Sequence, residues 1–191
     1  IEGNSIGTNA AETTAIAGDT GITIDGGATG NTIGGTDGAA ANVIAGNSGD
    51  TGMQVSEGGN TIEGNFVGTN RSRVPYPTHN ATGIRQNNDA SSTPNAYVGN
   101  TIASSSGPDL ADGNGIEIDD GAATITGNTI EGNAAAGVDI MASGDGYKIS
   151  KNSITGNASG IALGSSANTD TKPPSFDSAT ISGGTVGGQF H

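Results

Sequence analysis

Thr61-Ile62-Glu63-Gly64-Asn65-Phe66-Val67-Gly68-Thr69-Asn70 matches, position for position, Thr124-Ile125-Thr126-Gly127-Asn128-Thr129-Ile130-Glu131-Gly132-Asn133. Residues 148–157 repeat the block, residues 1–9 carry its tail, and residues 31–47 hold a copy interrupted near 36–41. Each copy is two short runs of alternating apolar and polar residues, separated by Gly-Asn. Such alternation marks strands with one buried face, because strand side chains point to opposite sides in turn. Gly and Asn between the runs tolerate the left-handed backbone that sharp corners require.

Working outward, a second unit of the form Gly-apolar-x-apolar lies between the blocks. It reads Gly21-Ile22-Thr23-Ile24, Gly52-Met53-Gln54-Val55, Gly115-Ile116-Glu117-Ile118, Gly137-Val138-Asp139-Ile140 and Gly160-Ile161-Ala162-Leu163, with a degenerate copy at Gly83-Ile84-Arg85-Gln86. The first apolar positions are 22, 53, 84, 116, 138 and 161, in steps of 31, 31, 32, 22 and 23. Each repeat therefore holds three short strands. Strands this short are unstable as isolated hairpins. Stacked as coils of a solenoid, they form three parallel sheets around one shared core. A coil of 22–23 residues is too long for the left-handed hexapeptide helix, and parallel crossovers are right-handed. The pattern predicts an all-β chain: a right-handed parallel β-helix, a three-sheet solenoid of about six coils, spanning residues 1–168. Residues 169–191 read as a C-terminal cap or linker segment.

Composition agrees with a solenoid better than with a compact globule. Aromatics make up 3% of the 191 residues, Cys and Trp are absent, and Gly supplies 35. Such Gly-rich, polar composition also suits disorder, but disorder does not space Ile and Val regularly. A net charge of −13 argues against nucleic acid, whose affinity rests on Lys and Arg at phosphates. It argues equally against an anionic membrane surface, and no apolar run approaches the ~20 residues of a membrane span. The fold needs no disulfides. The opening at Ile1 without Met reads as a processed or excised piece.

Asn42, Asn65, Asn100, Asn128 and Asn152 all precede the third strand of a coil at the same offset. Stacked amides at that offset are expected to hydrogen-bond from coil to coil, a structural duty rather than a ligand-binding one. The longer repeats carry their extra residues at one place, 10–20, 71–82 and 105–114, before the next Gly-apolar-x-apolar unit. Insertions collected at one corner project from one side of a solenoid, commonly the binding side.

The Gly-Asn-Thr-Ile-x-Gly-Asn phrasing at residues 59–65 and 127–133 resembles the pectate-lyase-like right-handed β-helix superfamily. More narrowly, it looks like the Asn/Gly-rich repeats of large bacterial or archaeal surface proteins. The resemblance covers about residues 1–165 and implies the fold. That superfamily includes lyases, hydrolases, epimerases, adhesins and inert stalks, so function has to be argued from the site. Its polysaccharide lyases need a base for the proton α to a uronate carboxyl group, and Arg or Asp-held Ca²⁺ to stabilise the enolate. The chain has six Lys and Arg residues in all. It lacks the Trp-Ile-Asp-His phrase typical of pectate lyases and the Asp pairing typical of polygalacturonases, which weighs against catalysis. The tail Lys172-Pro173-Pro174-Ser175-Phe176 looks like a linker into a following sandwich domain, or folds back over the last coil.

Two clusters are candidates for chemistry. In the first strand of each coil, the residue between the paired apolars is expected to face solvent, giving an outward column Thr23, Gln54, Arg85, Glu117, Asp139 and Ala162. A second column reads Asp25, Ser56, Asn87, Asp119 and Met141, beside an insertion carrying Asp109 and Asp112. If the chain is an enzyme, Arg85, Glu117 and Asp139 are its catalytic candidates, since carboxylates about 5 Å apart suit retaining glycoside cleavage. Asp119 and Asp139 are candidate calcium ligands, although the fold requires no cofactor. A solvated charged face with an Arg–Glu cross-strand pair is the plainer alternative. The second cluster is the insertion carrying Arg71, Arg73, Tyr76 and His79. An exposed Tyr beside Arg can stack on a sugar ring and contact its hydroxyls, whereas a Tyr folded over the neighbouring coil cannot.

The expected function is therefore a secreted or cell-surface structural or adhesive module, contacting glycans through its insertion side. A polysaccharide lyase or glycoside hydrolase is the alternative. A third reading is a self-assembling extracellular filament subunit. The N-terminal coil begins in mid-repeat with no cap, and such an open edge invites head-to-tail association with a second copy. Phe176, Ile181, Val186 and Phe190 supply apolar surface for covering the last coil at the other end.

Overall fold

The computed structural model describes residues 1–16, 18–88, 93–106, 113–141 and 146–163, with the backbone of 179–182 and 185–186. All regular elements among these residues are strands. A short β1 (Ser5–Ile6) precedes six coils of three strands each. The first coil holds β2 (Ile22–Ile24), β3 (Thr32–Gly34) and β4 (Val43–Ile44), and the second β5 (Thr51–Val55), β6 (Thr61–Glu63) and β7 (Phe66–Val67). The third comprises β8 (Thr82–Asn87), β9 (Asn95–Val98) and β10 (Thr101–Ala103). The fourth comprises β11 (Ile116–Asp120), β12 (Ala123–Thr126) and β13 (Thr129–Glu131). Then come β14 (Ala136–Ile140), β15 (Tyr147–Ser150) and β16 (Ser153–Thr155), and lastly β17 (Ser159–Leu163), β18 (Ala179–Ser182) and β19 (Thr185–Val186).

Corresponding strands of successive coils pair in parallel, giving a first sheet from β2 to β17, a second from β3 to β18 and a third from β1 to β19. This is a right-handed parallel β-helix. Within residues 169–191, β18 and β19 pair in register with β15 and β16 and extend two sheets by one strand each. Residues 164–178, 183–184 and 187–191, with Phe176 and Phe190, lie outside the described residues.

The interior is built of stacked columns. Ile22, Met53, Ile84, Ile116, Val138 and Ile161 face one another coil by coil in the first sheet. Ile33, Ile62, Tyr97, Ile125 and Ile149 do so in the second, and Ile6, Ile44, Val67, Ile102, Ile130 and Ile154 in the third. Almost all are fully buried, each removing roughly 1.5–3 kcal/mol of apolar side chain from water. The Gly that opens each first strand is a matter of space. A Cβ on Gly21, Gly52, Gly83, Gly115 or Gly137 would stand 2.5–2.8 Å from a carbonyl oxygen of the next coil and 2.5–3.0 Å from an Ile or Val methyl of the third sheet.

The degenerate third coil places Gln86 in an otherwise apolar column, between Val55 and Ile118. It is fully buried, and its amide is satisfied. Nε2 donates to the Asp120 carbonyl at 2.9 Å, while Oε1 accepts from the Tyr97 hydroxyl at 2.8 Å and from Asn95 at 3.1 Å. A buried amide with its partners in place costs little and fixes the neighbouring ring. Burial holds the Tyr97 hydroxyl far above its ordinary pKa.

The Asn residues at the corners form a continuous ladder. Asn4, Asn42, Asn65, Asn100 and Asn128 each donate both the backbone N–H and Nδ2 to Oδ1 of the Asn one coil further on, ending at Asn152. Nδ2 also reaches back to the preceding coil, as from Asn100 to the Ile62 carbonyl at 2.9 Å. Shorter ladders run at the other corners, through Asn31, Asn60 and Asn95, from Asn47 to Asn80, and from Asn133 to Asn157. Buried polar groups demand partners, and along the long ladder the repetition of one amide per coil meets that demand.

Candidate functional site

The outward column of the first sheet has the expected order. Thr23 pairs with Gln54, Gln54 with Arg85, Arg85 with Glu117, Glu117 with Asp139, and Asp139 with Ala162. Arg85 on β8 is its centre. Nε donates to Glu117 Oε1 on the following coil at 2.7 Å, and Nη1 to Asp50 Oδ1, which precedes β5 on the coil before, at 3.2 Å. Glu117 is held from the other side by Asn114, whose Nδ2 donates to Oε2 at 2.7 Å. Burial would lower the Arg85 guanidinium, but Glu117, Asp119 and Asp50 outweigh it and raise the pKa further. Asp50 and Asn114 were not marked by the alternating pattern, since both lie just before the strands that carry it.

Two expectations about this face are corrected. The residue between paired apolars is exposed at Thr23, but Glu117 is 3% and Asp139 8% exposed. Position in the strand fixes which way these side chains leave the sheet, and packing at the corner then removes them from water. Asp119 also departs from the second column. The register slips by one residue between Ile118 and Asp120, so Asn87 pairs with Asp120, and Asp119 is the extra residue of a β-bulge. The bulge turns Asp119 toward the cluster, with Oδ2 4.0 Å from Arg85 Nε and Oδ1 buried without a hydrogen bond. Burial first, then the charge of Glu117, push the Asp119 carboxyl up to about 6. Arg85 pulls it down and Asp139 adds to the rise.

A carboxyl titrating near neutrality beside an ionised one is the pairing that acid–base cleavage of glycosides uses. Here the neighbour, Glu117, is buried under an arginine and an amide, so its oxygens already have donors. The arrangement can store charge and take up a proton. It offers a substrate little of Glu117 or Asp139. For calcium, no group of three or more His, Cys, Asp or Glu side chains among the described residues is arranged to hold a metal ion. Asp109 and Asp112 lie outside the described residues.

On the insertion side, Tyr76 follows the second of its two readings, folded over the neighbouring coil, and is withdrawn as a glycan contact. The ring is 3% exposed and packs on Val43 and Ala45, with Phe66 and Ala15 at the edge. Its hydroxyl donates to the Glu12 carbonyl at 2.9 Å and meets Thr8 Oγ1 at 3.2 Å. The Pro-rich loop brings the ring back over the preceding coil, against β4 and the corner after it, where apolar burial outweighs exposure of an aromatic face. Arg71 is engaged too: Nε donates to Glu12 Oε1 at 2.8 Å, and its two other nitrogens to the Gly38 and Ala41 carbonyls. Two insertions, 8–16 and 69–79, are thereby locked together. Arg73 is exposed and sits in the left-handed region with φ of 61°. His79 is half-buried, with Nδ1 unpartnered. The structure brings Arg71 and Tyr76 together with Glu12, a residue the sequence pattern did not single out. No protein family, curated protein or solved structure matches the chain.

Proposed function

We propose that the chain is a rigid structural module of a secreted or cell-surface protein, kin to the Asn/Gly-rich members of the pectate-lyase-like β-helix superfamily. What carries this reading is the destination of the reactive side chains. Arg85, Glu117, Arg71 and Tyr76 are satisfied by the chain's own groups and tie neighbouring coils and insertions to one another. Together with the ladder from Asn4 to Asn152, these contacts stiffen the solenoid along its axis. A contact with glycans through the insertion side falls to Arg73 and His79, a thinner surface than the four residues of the sequence motif.

The test is a panel of acidic and neutral polysaccharides incubated with the wild-type chain and with Glu117→Gln, read as reducing ends and as absorbance of unsaturated uronates. No product above buffer is expected from either. Product formed by the wild type and lost in Glu117→Gln would overturn the structural reading in favour of a lyase or hydrolase. A glycan array of the wild type and of Arg73→Ala decides the adhesive part, with any binding expected to depend on Arg73.

A further inference from the structure

The departures from the repeat are concentrated in the third coil and its boundary with the fourth. Ser105 occupies the corner held by Asn47, Asn80, Asn133 and Asn157 in other coils. A Cβ on Gly83 would stand 3.0 Å from Ser105 Oγ, as one on Gly52 or Gly115 would stand 2.8 or 3.0 Å from the Asn80 or Asn133 amide. Ser105 passes its backbone N–H to Asn133 Oδ1 at 3.0 Å, but its hydroxyl is buried with no partner, so the ladder is broken there. The residue before it, Ser104, has φ of 57°, where Gly46, Gly68, Gly132 and Gly156 stand at the same corner of other coils. A Cβ in that conformation is strained. Both polar atoms of the Asn88 amide are buried and unpartnered, whereas the unpartnered Thr82 Oγ1 is shared with Thr51, its register partner on the second coil. On the facing coil lie the bulge at Asp119 and its unbonded Oδ1.

Against these stand ties that hold the rest of the third coil, among them Asn100 of the long ladder at the corner before β10. Arg85 links the third coil to Asp50 and Glu117 across the first sheet, and Gln86 and Tyr97 bind the first sheet to the second. We infer that the third coil is a built-in parting line: the solenoid opens first at the corner after β10, hinged on the Arg85 side. Interior coils of a regular solenoid are equally protected by their neighbours, so opening is ordinarily confined to the two ends. A break placed inside lets a stiff rod yield at one defined coil while those on either side keep their pairing. The inference concerns the backbone alone and stands or falls independently of what the chain binds or cleaves.

Hydrogen exchange of the full chain, resolved by mass spectrometry, tests it. Residues 101–106 are expected to exchange about tenfold faster than both 66–69 and 129–133, their counterparts on the flanking coils. The first-sheet strand β8 should remain as protected as β5 and β11. Ser104→Gly combined with Ser105→Asn should bring 101–106 to the level of its neighbours. Ser104→Gly alone, which adds no new side chain to the interior, should move it part of the way. Protection of 101–106 equal to or greater than that of the flanking coils would overturn the inference. So would unchanged exchange in Ser104→Gly.

Discussion

Asn65 gives two hydrogen bonds to a single atom: its backbone N–H and its Nδ2 both reach Oδ1 of Asn100, at 2.9 and 3.1 Å. One side-chain oxygen thus closes a backbone donor at the corner and a side-chain donor of the coil below. Replacing Asn100 by Ala strands the Asn65 backbone N–H in a buried setting and takes one partner from its Nδ2, which keeps the Ile33 carbonyl at 2.8 Å. We expect Asn100→Ala to cost on the order of 2–3 kcal/mol, visible as a lower urea midpoint. Asn4→Ala, at the exposed end of the same ladder, should shift the midpoint far less. Equal shifts would show that the ladder contributes nothing beyond a single corner.

Register sets the second prediction. Ile116 is fully buried and stacked between Ile84 and Val138, whereas Thr23 is exposed on the outer face of the same sheet. Ile116→Asp places a charge in a dry core and should abolish folding or solubility. Thr23→Lys should leave the urea midpoint unchanged. Similar midpoints for the two would refute the assignment of inside and outside.

Space, rather than conformation, decides the third. A methyl group on Gly115 would lie 2.6 Å from the Gly137 carbonyl oxygen and 2.7 Å from Cγ2 of Ile130. Neither can retreat without breaking a strand pairing or a core contact, so Gly115→Ala should destabilise by about 1–3 kcal/mol. A melting temperature equal to the wild type would show that successive coils approach less closely than described.

Lys151 holds the fourth. Its φ is 58°, at the corner where Gly3, Gly64, Gly99 and Gly127 precede their ladder asparagines with similar values. Removing the strained Cβ in Lys151→Gly should stabilise the chain by about 1 kcal/mol. A fall in melting temperature would mean that the lysine side chain contributes more than its backbone strain costs.

Titration of Asp119 gives the fifth. Its carboxyl has a folded-state pKa of about 6, against an ordinary value of 3.8. Between those values the folded chain holds a proton that the unfolded chain has released, so protonation favours folding. Stability should therefore rise as pH falls from neutral through about 6, and be lost again as pH rises through that value. In Asp119→Asn this segment of the melting temperature profile should flatten, with a higher melting temperature at neutral pH. A wild-type profile that falls on mild acidification would reverse the sign and refute the account.

The solenoid was legible because its signals are short-range and repeated. A Gly followed by apolar-x-apolar reports its own strand, and six copies report their neighbours. The outward column from Thr23 to Ala162 follows from counting alone. Counting failed where one residue was inserted, because the bulge at Asp119 leaves no mark in a stretch that reads as unbroken alternation. It failed at Glu117 for a different reason. Alternation says which face a side chain leaves from, while burial of the carboxylate depends on Arg85 and Asn114, which lie 32 and 3 residues away in the chain. Tyr76 shows the same limit. Prolines on both sides identify a stiff loop, but its direction depends on Val43, Ala45 and the Glu12 turn, none of them local.

The links between amides in the long ladder all point the same way, each donor lying one coil nearer the N-terminus than its acceptor. A coil emerging during synthesis therefore presents an acceptor to donors already waiting on the coil before it, and pairing can follow the order of translation. The same polarity makes coils interchangeable at their seams. If slippage between similar stretches of coding sequence removed or duplicated one whole coil between two ladder asparagines, each surviving donor would meet an acceptor identical to the one it lost. The rod's length is then free to vary by whole coils, while its width and the identity of its corners stay fixed.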